Sequence, residues 1–222
     1  MDLEAFAQQV GHRFHDPALL RRALTHRSHG SAHNERLEFL GDSVLNCAIA
    51  LELYRRFPQL PEGELSRLRA HLVNQDTLST VARRFGVGAI LLLGEGELRS
   101  GGCERPSILA DAVEAVVGAV FLDGGYDAAL GVVQTVLGDA LANIDPAAGK
   151  DPKTTLQEHL QARRISLPRY AVVATRGAAH RQEFEVECVI PELGIRTLGE
   201  GSNRRSAEQH AARLAYERAT RE

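Results

Sequence analysis

Residues 34–45 read NERLEFLGDSVL, and three acids in that stretch decide how the chain is read. Glu35, Glu38 and Asp42 stand among Leu37, Phe39, Leu40, Val44 and Leu45, whose spacing is that of a helix with an apolar side. On a helix Glu38 and Asp42 are i and i+4 and Glu35 is one turn earlier, so all three project from neighbouring positions. At about 4 Å and an effective dielectric near 20, each such pair of charges repels by roughly 4 kcal/mol. A cation is needed to relieve it.

The second half of the pattern lies at residues 107–122, SILADAVEAVVGAVFL, where Asp111 and Glu114 are the only charges and stand at i and i+3. A lone buried carboxylate protonates, pairs or binds a cation. No lysine or arginine at helical spacing within this helix can neutralise the two. If the two helices pack, Glu38, Asp42, Asp111 and Glu114 form an all-oxygen cluster suited to Mg²⁺, with Mn²⁺ as a substitute. The plain alternative is a set of acids on solvated helix faces. His26, His29 and His33 offer a zinc alternative, but they lie around a Gly-Ser turn and read more simply as polar surface.

Outward from these segments, helical periodicity recurs at 34–57, 62–73, 75–85, 107–122 and 126–143. An earlier helix begins at Asp16-Pro17, an N-cap followed by proline at the first helical position. The glycine-rich stretch LGEGELRSGGCERPS, 93–107, is expected as a mobile loop. Residues 144–152, with two prolines and a glycine, are expected as a linker between a domain at 1–143 and a second at 153–222.

The pattern changes after the linker. TTLQEHLQARR is helical, RYAVVATR, QEFEVECVI and GIRTLGEG read as strands, and NRRSAEQHAARLAYERA closes as a helix. In the middle strand Phe184, Val186, Cys188 and Ile190 alternate with Glu183, Glu185 and Glu187, the pattern of a half-solvated antiparallel strand. The expected fold class is therefore mainly α: an all-helical domain followed by a small α-β-β-β-α unit.

The chain has 222 residues and a formal charge of −3, unevenly divided. Residues 1–149 carry 13 basic and 19 acidic side chains, and residues 150–222 carry 13 basic and 10 acidic. A basic second module is one sign of nucleic-acid contact. Cys47, Cys103 and Cys188 form no CxxC pair, which points away from a disulfide framework or a zinc knuckle. No apolar leader or membrane-length run is present, so a cytoplasmic protein without membrane partners is expected.

With these residues in hand the sequence resembles the bacterial ribonuclease III family. The likeness rests on NERLEFLGDSVL together with LTHRS at 24–28, PEGELSRLRAHLV at 61–73 and SILADAVEAVVGAVFLDGG at 107–125, in family order. The tail at 150–222 resembles a double-stranded RNA-binding domain. The resemblance implies a homodimer of helical nuclease domains whose joint groove holds duplex RNA, one acidic cluster per subunit cutting one strand. By the same resemblance Glu38, Asp42, Asp111 and Glu114 are metal carboxylates, with Asp42 and Glu114 foremost in catalysis. Phe39 matches an aromatic that plugs a socket on the partner subunit, the alternative being an ordinary core phenylalanine. Glu35 and Glu62 match further acids near the groove.

The implied activity is Mg²⁺-assisted hydrolysis of double-stranded RNA to 5′-phosphate and 3′-hydroxyl ends, in processing of ribosomal RNA precursors and messenger or other structured transcripts. DNA is not an expected partner. Rival readings are a non-catalytic double-stranded RNA-binding protein of the same fold and a metal-dependent phosphohydrolase of small molecules. In the tail, Arg204 and Arg205 open the last helix, where charge and free backbone N–H groups can meet phosphate. Gln157 and Gln161 match family positions that reach the minor groove, and His180 sits in the turn between the first two strands. Glu208 stands where many such domains carry a third basic residue, so weaker binding with less salt dependence is expected.

Overall fold

The computed structural model describes residues 2–146, 150–177 and 182–220. Two compact units divide the chain, 1–148 and 149–222. In the first, the helices are α1 (Leu3–Gln9), α2 (Pro17–Ala23), α3 (Glu35–Arg56), α4 (Glu62–Leu72), α5 (Gln75–Arg84), α6 (Glu95–Arg99) and α7 (Pro106–Ala142). The second runs α8 (Pro152–Ala162), β1 (Arg169–Arg176), β2 (Glu183–Ile190), β3 (Ile195–Gly201) and α9 (Arg204–Ala219).

Helices α3 and α7 form the centre of the first unit. Leu45, Ala48, Ile49 and Leu53 on α3 and Ala112, Ala115, Ala119 and Val120 on α7 are all fully buried. Burying each of the larger aliphatic side chains is worth roughly 1.5–3 kcal/mol. The two helices touch backbone to backbone: a Cβ added at Gly41 would lie 1.8 Å from the Glu114 carbonyl oxygen, and one at Gly118 would lie 2.3 Å from that of Leu37. Only glycine permits this approach.

The break expected between helices at 107–122 and 126–143 is made at one glycine. Gly125 has φ 78° and ψ −171°, which breaks α7 into two arms. Just before the break, the Asp123 carboxylate accepts the backbone N–H groups of His15 and Asp16, each at 2.9 Å, and lies 2.9 Å from His12 Nε2. Burial works against its charge, but these hydrogen bonds prevail and hold Asp123 well below the usual carboxylate range. The side chain is 2% exposed, so this one acid ties the α1–α2 connection to the core.

Two expectations for the first unit need correction. Helix α1 had no counterpart in the sequence reading, and the stretch 93–107 is not simply a loop, since it carries α6 and a 3₁₀ turn at Gly102–Glu104. Gly94 serves close packing there: a Cβ on it would lie 2.3 Å from the Ser28 carbonyl oxygen.

In the second unit the strands form an antiparallel sheet in the order β1-β2-β3. The alternation in β2 is as expected, with Val186, Cys188 and Ile190 buried. Helix α9 lies close on this face because its buried residues are all alanines, Ala207, Ala211, Ala212, Ala215 and Ala219, and Gly199 faces it; a Cβ at Gly199 would meet the Ala211 nitrogen at 2.2 Å. Leu156 and Leu160 of α8 complete the core.

Candidate functional site

The glycine crossing of α3 and α7 sets the geometry of the acidic cluster, because Gly41 lies about one turn after Glu38 and Gly118 about one turn after Glu114. One carboxylate oxygen from each of Glu38, Asp111 and Glu114 lies within 4.8 Å of the others. All three are partly buried. Asp42 is not part of that three-way group: it is exposed, and its Oδ1 accepts a hydrogen bond from Asn46 Nδ2 at 2.8 Å. Glu62 opens α4 as an exposed residue and accepts from Ser66 Oγ at 2.7 Å.

Charge crowding is written into the proton affinities. Burial first, and then the charges of Asp42, Asp111 and Glu38, push Glu114 up to about 7. Glu38 is raised by burial and by Asp111, Glu35 and Asp42, with Arg27 acting in the opposite direction. Asp111 is raised by burial and eased by His26 and Arg27. The relief absent within the Asp111 helix thus comes from the segment before α3. It is incomplete, since all three carboxyls stay above their ordinary values. A divalent cation held by oxygen ligands fits this donor set.

A cleft beside the cluster is lined by Arg27, Glu35, Glu38, Glu97, Arg105 and Asp111 among others. Arg27 pairs with Glu35 at 3.2 Å and Arg105 with Glu97 at 2.5 Å. The three nearby histidines do not converge. His26 Nδ1 is 2.8 Å from Ser28 Oγ, His29 Nδ1 faces the Leu93 carbonyl at 3.3 Å, and His33 Nδ1 is 3.6 Å from Glu35. A zinc site there has no support.

Phe39 projects outward from α3 and is 79% exposed, so it is not part of the core of this chain. Tyr54 on α3 and Leu122 on α7 are exposed as well. In the second unit, Gln157 and Gln161 stand exposed one turn apart on α8, and Arg204 and Arg205 are exposed at the start of α9. Asn203 caps α9 by accepting from the Ser206 N–H at 2.9 Å, while Ser206 Oγ accepts from the Asn203 N–H. The N–H groups of Arg204 and Arg205 have no intrahelical acceptor by helix geometry. His180 lies outside the described residues.

Several residues that shape the site were not singled out from the sequence. Gly41 and Gly118 carried a signal, glycine inside a helical pattern. Asn46 could have been found as the i+4 neighbour of Asp42. Arg27, Glu97 and Arg105 come from separate segments, and nothing in local spacing joins them.

Comparison with known proteins points to one family. A family described as "Ribonuclease-III-like" matches residues 16–141, and one described as "Double-stranded RNA binding motif" matches 152–218. The chain is 60% identical to "Ribonuclease 3" of Ralstonia nicotianae over 222 residues, covering all of this chain and 87% of that protein. It is 58% identical to "Ribonuclease 3" of Bordetella avium over 220 residues, 99% of this chain and 88% of that one. A solved nuclease domain of ribonuclease III from Campylobacter jejuni, described with a flexible region involved in dimer formation, is 40% identical. It superposes with a TM-score of 0.61 over 62% of this chain and 97% of that one. Among the described residues no helix is long and apolar enough to cross a membrane. A helical unit that gathers carboxylates at a glycine crossing, matched over most of its length and followed by an RNA-binding motif, belongs to the ribonuclease III family.

Proposed function

We propose that the chain is a homodimeric, Mg²⁺-dependent endoribonuclease that cuts double-stranded RNA, with Mn²⁺ able to replace Mg²⁺. The observation that carries this reading is the convergence of Glu38, Asp111 and Glu114 from two helices in a chain that also holds a double-stranded RNA-binding motif. Those three carboxylates would hold the ion, and Asp42, kept in place by Asn46, stands close enough to raise Glu114 and completes the ligand set. A bound divalent ion supplies a nucleophilic water at neutral pH and stabilises charge on the leaving 3′ oxygen.

The chain's own residues do the rest. Three converging carboxylates with Asp42 beside them repel a phosphodiester until their charge is offset, which makes binding at the cut site dependent on the ion rather than on the protein alone. In the cleft Arg27 pairs with Glu35 and Arg105 with Glu97, so the charge of each acid is partly offset where the anionic strand must lie. Exposed Phe39 is the anchor for a second copy of the chain. Gln157, Gln161, Arg204 and Arg205 face the duplex, the glutamines reading its minor groove and the arginines its phosphates. Ribosomal RNA precursors and other structured transcripts of the cytoplasm are the natural substrates of such an enzyme.

The test is cleavage of labelled duplex RNA, single-stranded RNA and duplex DNA, each with and without Mg²⁺. Only duplex RNA with Mg²⁺ should be cut, giving 5′-phosphate and 3′-hydroxyl ends. Glu114→Gln should bind duplex RNA as the parent does and fail to cut it. Cleavage by that variant at the parent rate would refute the site.

A further inference from the structure

We infer that Glu208 is a positioning residue that sets the chain's discrimination between duplex RNA and other polyanions, by holding Lys153 of α8 and Arg204 of α9 in one fixed group. This rests on the proposed RNA-binding face of the second unit.

Counted by charge alone, an acid at position 208 is one cation fewer for phosphate. Its surroundings say more. The Glu208 carboxylate accepts from Lys153 Nζ at 2.6 Å and from Arg204 Nε at 2.8 Å. Its side chain is 13% exposed, against 37% for Lys153 and 66% for Arg204. The anion therefore lies beneath two cations and does not confront the ligand. Lys153 and then Arg204 keep the carboxyl below its ordinary range, with burial opposing, so it is charged at neutral pH. Lys153 is fixed from a second direction, with its ammonium 4.6 Å from the centre of the Tyr170 ring. A parallel latch lies beside it: Asp151 caps α8 through the N–H of Lys153 and accepts from Gln209 Nε2 at 2.8 Å.

These contacts join the start of α8 to the first turns of α9. Lys153 is one turn before Gln157 on α8, and Arg204 begins the helix end proposed to meet phosphate. Duplex RNA is recognised by the spacing of its groove and phosphates, which differs from that of B-form DNA. Cations held at a fixed separation reward one spacing, whereas mobile cations follow any phosphate chain. Glu208 gives up one unit of attraction for all nucleic acids and keeps two cations in register for one.

The experiment measures binding of the full-length chain, without divalent ions so that nothing is cut, to labelled RNA and DNA duplexes of one sequence over a salt series. For Glu208→Gln, affinity for the DNA duplex should rise about threefold or more while that for the RNA duplex changes by less than about twofold, and the salt slope should steepen by about 0.9. Lys153→Met breaks the same group while removing a cation, so overall affinity falls but the RNA-to-DNA ratio falls too; a simple count of charges predicts equal losses on both duplexes. Melting temperatures verify that both variants are folded. An unchanged ratio in both folded variants overturns the inference. Gln157→Ala and Arg205→Ala are run alongside: if they weaken RNA binding and the ratio stays fixed in the Glu208 and Lys153 variants, the inference fails alone. If they do not weaken it, the proposed face itself fails and the inference with it.

Discussion

Replacing Gly41 by alanine should disable the enzyme by moving one half of its acidic cluster away from the other. The new Cβ would lie 1.8 Å from the Glu114 carbonyl oxygen, 2.6 Å from its carbon and 2.9 Å from the Gly118 nitrogen. Reaching ordinary contact at 3.4 Å requires α3 and α7 to part by about 1.6 Å at this crossing. Both obstacles are helical backbone, so no side-chain rotation relieves the clash. Overpacking of this kind costs about 1–3 kcal/mol or more, and at roughly 2–4 °C per kcal/mol the melting temperature should fall by several degrees. The effect on cleavage should be larger than the effect on stability. Glu38 sits one turn before Gly41, and a displacement of about 1 Å in a reacting geometry costs on the order of 100-fold in rate.

Gly131→Ala, in the second arm of α7, is the control, since a Cβ there meets nothing within 4 Å. It should stabilise the protein by about 0.4–1 kcal/mol and leave cleavage unchanged. Thermal melting and cleavage of a labelled duplex at saturating Mg²⁺ measure both effects. Cleavage by folded Gly41→Ala within about twofold of the parent would refute the claim that this crossing sets the site's geometry.

Other outcomes follow from the same structure. Glu114 in the folded chain has a pKa of about 7 against an ordinary 4.5, so its contribution to stability is full below about 4.5 and is lost as pH rises to about 7. Glu38 and Asp111 shift in the same direction, and the metal-free melting temperature should therefore fall between about pH 4.5 and 7, with a flatter profile in Glu114→Gln; a rising profile would contradict the raised proton affinities. Phe39→Ala should leave folding stability within about 0.5 kcal/mol, because the ring is 79% exposed, yet move the protein toward monomer in sedimentation at low concentration. Asp123→Ala strands two backbone N–H donors and a histidine, and should cost about 2–3 kcal/mol in chemical denaturation. Parent-like stability would show that the N-terminal tie is dispensable.

The acids on α3 and α7 were legible in sequence because charge in an apolar periodic pattern is conspicuous and has few physical remedies. Which of them converge was less so: the three-way group of Glu38, Asp111 and Glu114 depends on how two helices cross, and Gly41 and Gly118 set that crossing. Asp42, treated in the sequence as an equal member, instead stands exposed against Asn46. Helix α1 escaped notice because its seven residues bury only Phe6 and Ala7, too few to make a period. The stretch 93–107 read as loose because glycine usually marks turns, whereas Gly94 is there for a close approach to Ser28. Glu208 shows the same limitation of counting residues, since its identity signals a missing cation and its contacts reveal two cations gathered. Patterns along one element are readable; pairings between elements need the fold.

The central claim is that α3 and α7 share a divalent ion. Crystals of the chain grown with Mn²⁺ and measured at a wavelength where manganese scatters anomalously should show a peak bounded by Glu38, Asp111 and Glu114. A clean map with no anomalous density at that point, at Mn²⁺ concentrations that support cleavage in solution, would contradict it.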